Sequence, residues 1–228
     1  MNLVVVRPRS GDILRATGAV GRRTFVGGSV DVQELQAQQR FHLHQKITMM
    51  INRYQIFADD GNGEPGPLVA FVEQKRMTFK EQVTLYADES KGSVLAAFKA
   101  RKVIDLASGY DVTTPDGQPI GLFGKKFGKS LLRSTWQLDQ PGQDPVDISE
   151  RSMGLALFRR VWNVVPWVGD WPFPLKYHFD FVRDTTPVGA VDKKTRFRDH
   201  YLVHIEDPTL DRRLVLAQAV ALDALQSR

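Results

Sequence analysis

The sequence predicts a mainly β protein in which ten to twelve short strands curl around one hydrophobic helix at the C-terminus. The nine-residue centre of that helix, residues 214–222, contains a single polar side chain, Gln218. Because a helix that is apolar nearly all round must be enclosed, a sheet has to wrap it. Much of the preceding chain alternates apolar and polar residues between turn sequences spaced at roughly 8–12 residues, which favours a sandwich or barrel over parallel α/β units.

The composition is that of one ordinary globular domain. The chain has 228 residues, of which 42% are hydrophobic and 25% charged, enough for a sizeable single core. It contains no cysteine, which excludes disulfides, thiolate metal sites and a cysteine nucleophile and fits an intracellular compartment. The apolar run at residues 3–6 is too short for a signal peptide, so a cytoplasmic location is expected. The net charge of +5 mildly favours an anionic partner.

The first forty residues are expected to form a partly irregular extension with a candidate strand at 3–6, and residues 41–228 to form the domain. Alternation begins at Phe41, because Phe41 and Leu43 share one strand face while His42 and His44 take the other. Asp, Gly and Pro residues separate several later segments as turns. Further strands are predicted at 53–58, 68–74, 82–86, 93–99, 102–106, 110–113, 120–123, 131–138, 176–182, 188–192 and 199–205.

A first helix is predicted at 148–164. This segment places Leu155, Phe158 and Trp162 at intervals of three and four, which is the spacing of an amphipathic helix. Such an apolar stripe usually packs on a core, so we expect the helix to lie against the barrel.

The terminal helix is predicted at 208–226, with Asp207 as its cap and Pro208 in the first turn. Its apolar centre rises only about 13 Å, and a bilayer presents about 30 Å of hydrocarbon. We therefore expect no transmembrane span. Enclosure also requires that Gln218 and Asp223 bond to barrel groups or face the mouth of the barrel.

An aromatic and basic segment at 159–179 is the most unusual candidate surface. Indole rings prefer the membrane–water interface, and basic neighbours suit anionic headgroups. Burial of the rings over one barrel mouth is the simpler explanation, because large exposed apolar patches are uncommon on soluble monomers. Docking on a membrane or on a partner protein is the alternative. The candidate docking residues are Arg159, Arg160, Trp162, Trp167, Trp171 and Phe173.

Basic residues cluster in three places, near 99–102, 125–129 and 193–198. If the strands bring two clusters together, they form a phosphate-binding patch in which each residue contributes about 1 kcal/mol near an anionic surface. The simpler explanation is a set of solvated strand edges that also prevent edge pairing. The candidate phosphate-binding residues are Arg101, Lys102, Lys125, Lys126, Lys129, Lys193, Lys194 and Arg196.

Metal and catalytic motifs are not found. His42 and His44 share a strand face, as do His200 and His204, but no carboxylate stands at a spacing typical of a zinc site. The acidic turn at 59–64 lacks the alternating acids of a calcium loop and is explained as a hairpin turn. No glycine-rich phosphate loop, nucleophile elbow or nucleic-acid signature occurs. No metal, cofactor or nucleic acid is therefore expected, and the chain is not expected to be an enzyme.

The order of these pieces resembles the tubby C-terminal-like superfamily, in the branch of the LURP-one-related proteins and the phospholipid scramblases. The resemblance lies in a strand pair with a tight turn at 41–61, in repeated strand, turn and Lys-Lys elements at 92–138, and in a final strand that leads into a hydrophobic helix at 196–225. It implies a closed or nearly closed barrel of about twelve strands around the terminal helix. It also implies a non-catalytic protein, since tubby domains bind phosphoinositides and scramblases are linked to lipid movement.

The chain departs from the scramblases at their calcium-binding segment before the terminal helix. Asp199, Glu206, Asp207 and Asp211 are present, but Phe197 and Thr209 stand where carboxylates would be expected. Calcium needs six to eight oxygen ligands, so a tight calcium site is not predicted.

Two functional hypotheses follow from the sequence. The first is a module that binds lipid or membrane surfaces, peripherally at the inner face, with a basic barrel face on anionic headgroups. The second is a protein-interaction scaffold that uses the amphipathic helix and the tryptophan-rich loop at 155–175.

Overall fold

The structure is a computed structural model that describes residues 31–47, 51–75, 82–101, 109–126, 135–151, 178–194 and 200–226. Its described residues form two helices and twelve strands. The helices are α1 (Val32–Gln36) and α2 (Arg212–Gln226). The strands are β1 (Arg40–Ile47), β2 (Ile51–Asp59), β3 (Pro65–Lys75), β4 (Val83–Tyr86), β5 (Val94–Ala100), β6 (Gly109–Thr113), β7 (Pro119–Lys125), β8 (Thr135–Asp139), β9 (Val146–Glu150), β10 (His178–Arg183), β11 (Thr186–Lys193) and β12 (His200–Ile205).

The strands form one closed antiparallel barrel in which each strand pairs with its neighbours in the chain. The barrel closes where β12 pairs with β1, for example at Phe41 and Val203. Closure leaves no free sheet edge, so every strand finds backbone partners on both sides. The predicted barrel of about twelve strands around the C-terminal helix is confirmed.

Helix α2 supplies the core of the barrel. Leu214, Val215, Leu216 and Ala217 are fully buried, and the inward faces of the strands surround them. A buried side chain of leucine size contributes about 1.5–3 kcal/mol of apolar burial. The helix comes so close to β7 that a Cβ atom built on Gly121 would lie 2.7 Å from the Leu214 side chain, so only glycine fits there.

Helix α2 begins at Arg212, four residues later than the predicted start at 208. The predicted cap, Asp207, instead accepts a hydrogen bond from the Thr209 amide at 2.8 Å. Asp211 takes the capping position, since its carboxylate accepts from the Arg213 amide at 2.9 Å. An acidic residue does cap the helix, but the acid followed by proline at Asp207 and Pro208 belongs to the turn that precedes it.

The two polar side chains of α2 have different surroundings. Asp223 accepts hydrogen bonds from the hydroxyls of Tyr54, at 2.9 Å, and Tyr201, as enclosure requires. Gln218 is fully buried, and neither its oxygen nor its nitrogen has a hydrogen-bond partner in the described structure. The expectation for Gln218 is therefore wrong.

Strand β9 lies where the sequence predicts the start of a helix at 148. Its burial alternates, with Val146, Ile148 and Glu150 directed inward, which is the period of a strand. The rest of the predicted helix 148–164 lies outside the described residues, as do the predicted strands at 3–6 and 102–106.

The chain before β1 is already part of the packed body from residue 31. Leu35 of α1 is fully buried in the core. The Gln36 side chain donates to the Asp211 carboxylate at 2.7 Å and accepts from the Arg212 amide at 3.0 Å. Leu35 and Gln36 thus attach this segment to the core and to the start of α2.

Candidate functional site

The up-and-down topology brings the ends of alternate strands together at one end of the barrel. Four backbone hydrogen bonds of 2.8–2.9 Å cross its rim, from the amides of Arg101, Lys126, Arg151 and Lys194 to the carbonyls of Gly109, Thr135, His178 and His200. Each donor follows an odd-numbered strand, so all four lie at the same end. We call this the basic end, and its described basic residues include Lys46, Lys99, Arg101, Lys125, Lys126, Arg151, Lys193 and Lys194.

The opposite end, which we call the acidic end, is formed by the connections at 60–64, 87–93, 114–118, 140–145, 184–185 and 206–211. These connections contain ten acidic residues and one basic residue, Lys91. Several of the acids build the turns. Asp60 accepts from the Asn62 amide at 2.7 Å, and Asp88 accepts from the Ser90 amide at 2.8 Å. The hydrogen bonds from Asn62 lower the pKa of Asp60, so its charge is retained to lower pH.

The sequence of the connections at the basic end has the opposite balance. Residues 48–50, 76–82, 101–108, 126–134, 151–177 and 194–199 contain fourteen basic and four acidic residues. Much of this sequence lies outside the described residues. Both termini of each connection are attached to strands at the basic end.

Some basic side chains at this end already pair with carboxylates. Arg101 binds Asp111 at 2.7 Å, Lys126 binds Asp147 at 2.9 Å, and Arg151 binds Asp180 at 2.5 Å. These cationic side chains are 45–53% exposed, and ion pairs exposed to this degree contribute little. They can be exchanged for an anionic ligand at small cost.

Other lysines have no carboxylate partner in the described structure. Lys46, Lys99, Lys125 and Lys194 are exposed. None of them makes an ion pair with a described residue. Lys193 lies over the ring of Tyr201, with its ammonium 5.4 Å from the ring centre.

Helix α2 matches this polarity. It starts at the acidic end, where the Asp211 amide donates to the Gln140 side chain at 2.8 Å, and it runs toward the basic end. A helix carries partial positive charge at its N-terminus and partial negative charge at its C-terminus. Each end of the barrel therefore has the charge sign that complements the helix terminus it faces.

The structure gathers five of the eight predicted phosphate-binding residues at the basic end, namely Arg101, Lys125, Lys126, Lys193 and Lys194. Lys102, Lys129 and Arg196 lie outside the described residues. The predicted docking residues Arg159, Arg160, Trp162, Trp167, Trp171 and Phe173 lie outside them as well. Sequence reasoning missed Lys46 and Arg151, which strand parity could have found because both stand at or near the ends of odd-numbered strands.

A cluster of histidines lies on the outer wall, across the closing pair β1–β12. His42 is buried, with its Nε2 2.9 Å from the Asp59 carboxylate and its Nδ1 3.2 Å from Nε2 of His200. The ring of His44 meets that of His200 edge to face at 4.2 Å. Burial, together with the neighbouring His44, His42 and Lys194, lowers the pKa of His200 to about 4. Within the described ranges, no group of three or more histidines and acids could hold a metal ion.

The carboxylates of the scramblase-like segment are already engaged. Asp207 binds the Arg183 guanidinium, and Asp211 binds that of Arg213 at 2.7 Å. Burial alone would raise the pKa of Asp211, but the hydrogen bond and charge of Arg213 lower it below its usual range. These contacts leave few oxygen atoms of Asp207 and Asp211 free to ligate a calcium ion.

Comparison with known proteins gives one match. A family model described as LURP-one-related matches residues 68–223, more than half of the chain. No curated protein and no solved structure matches the chain significantly. Across the described residues, no helix combines the length and the apolar composition needed to span a bilayer.

Proposed function

The chain belongs to the LURP-one-related family, and from that premise we propose that it is a non-catalytic module that binds anionic lipid surfaces through the basic end of its barrel. The observation that carries the proposal is the separation of charge between the two ends. The connections at one end contain fourteen basic and four acidic residues in the sequence, whereas those at the other contain ten acidic residues and one basic residue.

Electrostatics then gives the orientation of binding. Each basic residue near an anionic surface contributes about 1 kcal/mol, and the attraction falls off within a Debye length of about 8 Å at physiological salt. An anionic membrane attracts the basic end and repels the acidic end. The barrel axis therefore stands on the membrane with the basic end down, and the protein is peripheral, at the cytoplasmic face. Phosphoinositides are the anionic lipids with the highest charge density, so we expect them to bind most tightly.

The tryptophan-rich connection agrees with this orientation. Its anchoring residues, Arg151 and His178, lie at the basic rim and are joined by a backbone hydrogen bond of 2.9 Å. The connection therefore begins and ends at the end of the barrel that the proposal places on the membrane, and indole rings favour that interface.

A charge-reversal experiment tests the proposal. Lys125→Glu with Lys194→Glu reverses two exposed charges at the basic end, and Arg40→Glu with Lys91→Glu reverses two exposed charges at the acidic end, with the same change in net charge. Binding is measured by sedimentation with phosphatidylcholine vesicles that contain phosphatidylglycerol or a phosphoinositide. We expect the basic-end variant to lose at least about tenfold in affinity, since each reversal removes about 1 kcal/mol of attraction and adds repulsion. The acidic-end variant should stay within about twofold.

Two outcomes contradict the proposal. Equal losses in both variants would show that net charge, and not the basic end, determines binding. Absence of sedimentation with any anionic vesicle at low salt would exclude lipid binding altogether. In that case the protein-interaction scaffold is tested by pull-down, in which replacement of residues 155–175 should remove a stoichiometric partner.

A further inference from the structure

Three amide side chains line the inside of the barrel at the basic end, of which Asn52 and Gln74 are buried and Gln45 is half-buried. Asn52 and Gln74 stand opposite each other on β2 and β3, and Gln45 stands opposite Tyr54 on β1 and β2. All three share the strand face of Tyr54, whose hydroxyl contacts Asp223 of α2. They therefore point into the barrel, close to the C-terminal part of the helix.

The side-chain oxygens of these three residues are buried and have no hydrogen-bond partner in the described structure. Gln74 and Asn52 are only 5% and 9% exposed. Buried polar atoms nearly always find a partner, because leaving one unpaired costs its full desolvation. Three such oxygens on adjacent strands form an array of acceptors without donors.

The orientation of Gln45 follows from the network around it. Tyr54 has one proton, which it donates to Asp223 at 2.9 Å, so its oxygen must accept the amide hydrogen of Gln45 at 3.0 Å. The Tyr201 hydroxyl also donates its proton to Asp223. Exchanging the oxygen and nitrogen of Gln45 would break this bond, so the free atom has to be the oxygen.

The field inside this end of the barrel favours a cation. The last carbonyls of α2 have no partner within the helix and carry the negative end of its dipole. Asp223 lies in the same part of the helix, and the last turn contains no basic residue. One native ammonium already lies against this interior, that of Lys193 over the ring of Tyr201.

We propose that the side-chain oxygens of Gln45, Asn52 and Gln74, which we call the inner rim, bind the primary ammonium group of an aminophospholipid. Each oxygen accepts one of its three N–H bonds. An ammonium is the one common headgroup cation with three donors and no acceptor, which matches three acceptors. The inference rests on the proposed lipid binding and gives it a headgroup preference. In this arrangement the phosphate of the same lipid contacts the lysines of the basic end.

Gln74 lies one residue before the end of β3, at the basic end of the barrel, and pairs there with Asn52 of β2. Because the end of a strand opens more readily than its centre, entry at this point costs least.

The test compares two headgroups that differ only in the methylation of the ammonium group. Vesicles contain a fixed fraction of phosphatidylglycerol together with phosphatidylethanolamine or phosphatidylcholine, whose ammonium is fully methylated. We expect the native chain to bind the ethanolamine vesicles at least about threefold more tightly, since methylation removes every N–H donor to the rim. Gln74→Met should abolish this preference by lowering binding to the ethanolamine vesicles to the level measured with the choline vesicles. Gln137→Met, the same change on the outer face of β8, is the matched control and should keep the preference.

Equal binding of native chain to both vesicles would overturn the headgroup preference and leave the proposed function standing. Retention of the preference by Gln74→Met would overturn the assigned site. Absence of binding to either vesicle would reject the proposed function and the inference with it. Unfolding without vesicles gives a second readout. Gln74→Met should match or exceed the native midpoint, and a lower midpoint would show that the carboxamide serves the fold and would overturn its role as a ligand.

Discussion

The acidic and basic ends of the barrel are made from the same twelve strands but differ in what their residues do. At the acidic end, side chains bond to the backbone and to each other, as in the contacts of Arg183 with Asp207 and of Gln140 with the Asp211 amide. At the basic end, the described lysines mostly point to solvent, and buried acceptors lack donors. The groups that specify the fold are concentrated at one end, which leaves the other end free to bind.

Backbone geometry shows the same division. The described residues with positive φ are Gly61, Gly63, Lys91, Gly117, Gly142 and Asp184, and all of them lie at the acidic end. Such conformations are needed to reverse the chain in a few residues. Tight turns with defined geometry therefore set the register of the strands at this end, whereas the connections at the basic end are longer and richer in lysine and arginine.

The largest effect expected from this comparison comes from Arg212. Its buried guanidinium donates to the carbonyls of Gln38, Asp207 and Leu210 at 2.6–2.9 Å. Arg212→Leu leaves these carbonyls without donors, and we expect it to lower the free energy of unfolding by about 3–5 kcal/mol. Urea unfolding measures the loss.

Vesicle binding of the folded fraction of Arg212→Leu should stay within about twofold of native, because the basic end is unchanged. If Arg212→Leu kept the native free energy of unfolding but lost vesicle binding, the division of roles between the two ends would be contradicted.

A smaller effect is expected from the histidine cluster on the wall between the ends. Because burial and neighbouring charges lower the pKa of His200 to about 4 from 6.5, the native state binds fewer protons than the unfolded chain between these values. Stability contributed by the neutral ring is present above pH 6.5 and is lost as the pH falls toward 4. Since His200 is only partly buried, we expect a discounted loss of about 1–2 kcal/mol.

Denaturant titrations between pH 7 and 4 measure this loss. His200→Gln should flatten the acid side of the profile, since the amide donates to Nδ1 of His42 without taking up a proton. His204→Gln, on the same face of β12, is the control and should keep the native slope. An unchanged slope in His200→Gln would show that His200 does not titrate as its geometry indicates.

The fold could be predicted from the sequence because its main determinants are local or periodic. The apolar composition of residues 214–222 predicts an enclosed helix, and the alternation of apolar and polar residues predicts most of the strands. Strand β9 was missed because its five residues stand directly before the apolar spacing of Leu155, Phe158 and Trp162, and the helical period was extended back over it. The start of α2 was misplaced because Asp207 and Pro208 satisfy the rule for a helix cap but also suit a turn.

The candidate site was predicted only in part, for a topological reason. Three basic clusters were visible in the sequence, but their convergence depends on strand parity, which requires the number of strands between them. Because a strand was predicted at 102–106 and β9 was missed, the strands between them were numbered one place too high. The amides of Gln45, Asn52 and Gln74 give no signal at all in the sequence, because their significance comes from burial without partners.

The next prediction concerns the turn that contains Gly117, where a substitution should lower the free energy of unfolding by about 1 kcal/mol. Gly117 has a φ of 86° with open space around it, so Gly117→Ala meets no clash but has to adopt a conformation that disfavours a side chain. We expect a loss of about 1 kcal/mol in urea unfolding. Gly92→Ala, at the same end but without positive φ, is the control and should change stability by less than about 0.5 kcal/mol. Equal losses would show that turn geometry is not the cause.

Substitutions of Lys125 and Lys194 at the basic end should change stability least and vesicle binding most. Lys125 and Lys194 are exposed and make no ion pair with a described residue, so replacing both with glutamine should alter the free energy of unfolding by less than about 0.5 kcal/mol. The same pair of substitutions removes two attractive charges and should weaken binding to anionic vesicles by about tenfold or more. Unfolding and sedimentation of one double variant therefore separate the two roles. A large loss of stability would mean that these lysines support the barrel, and the contrast between its ends would then be one of charge alone.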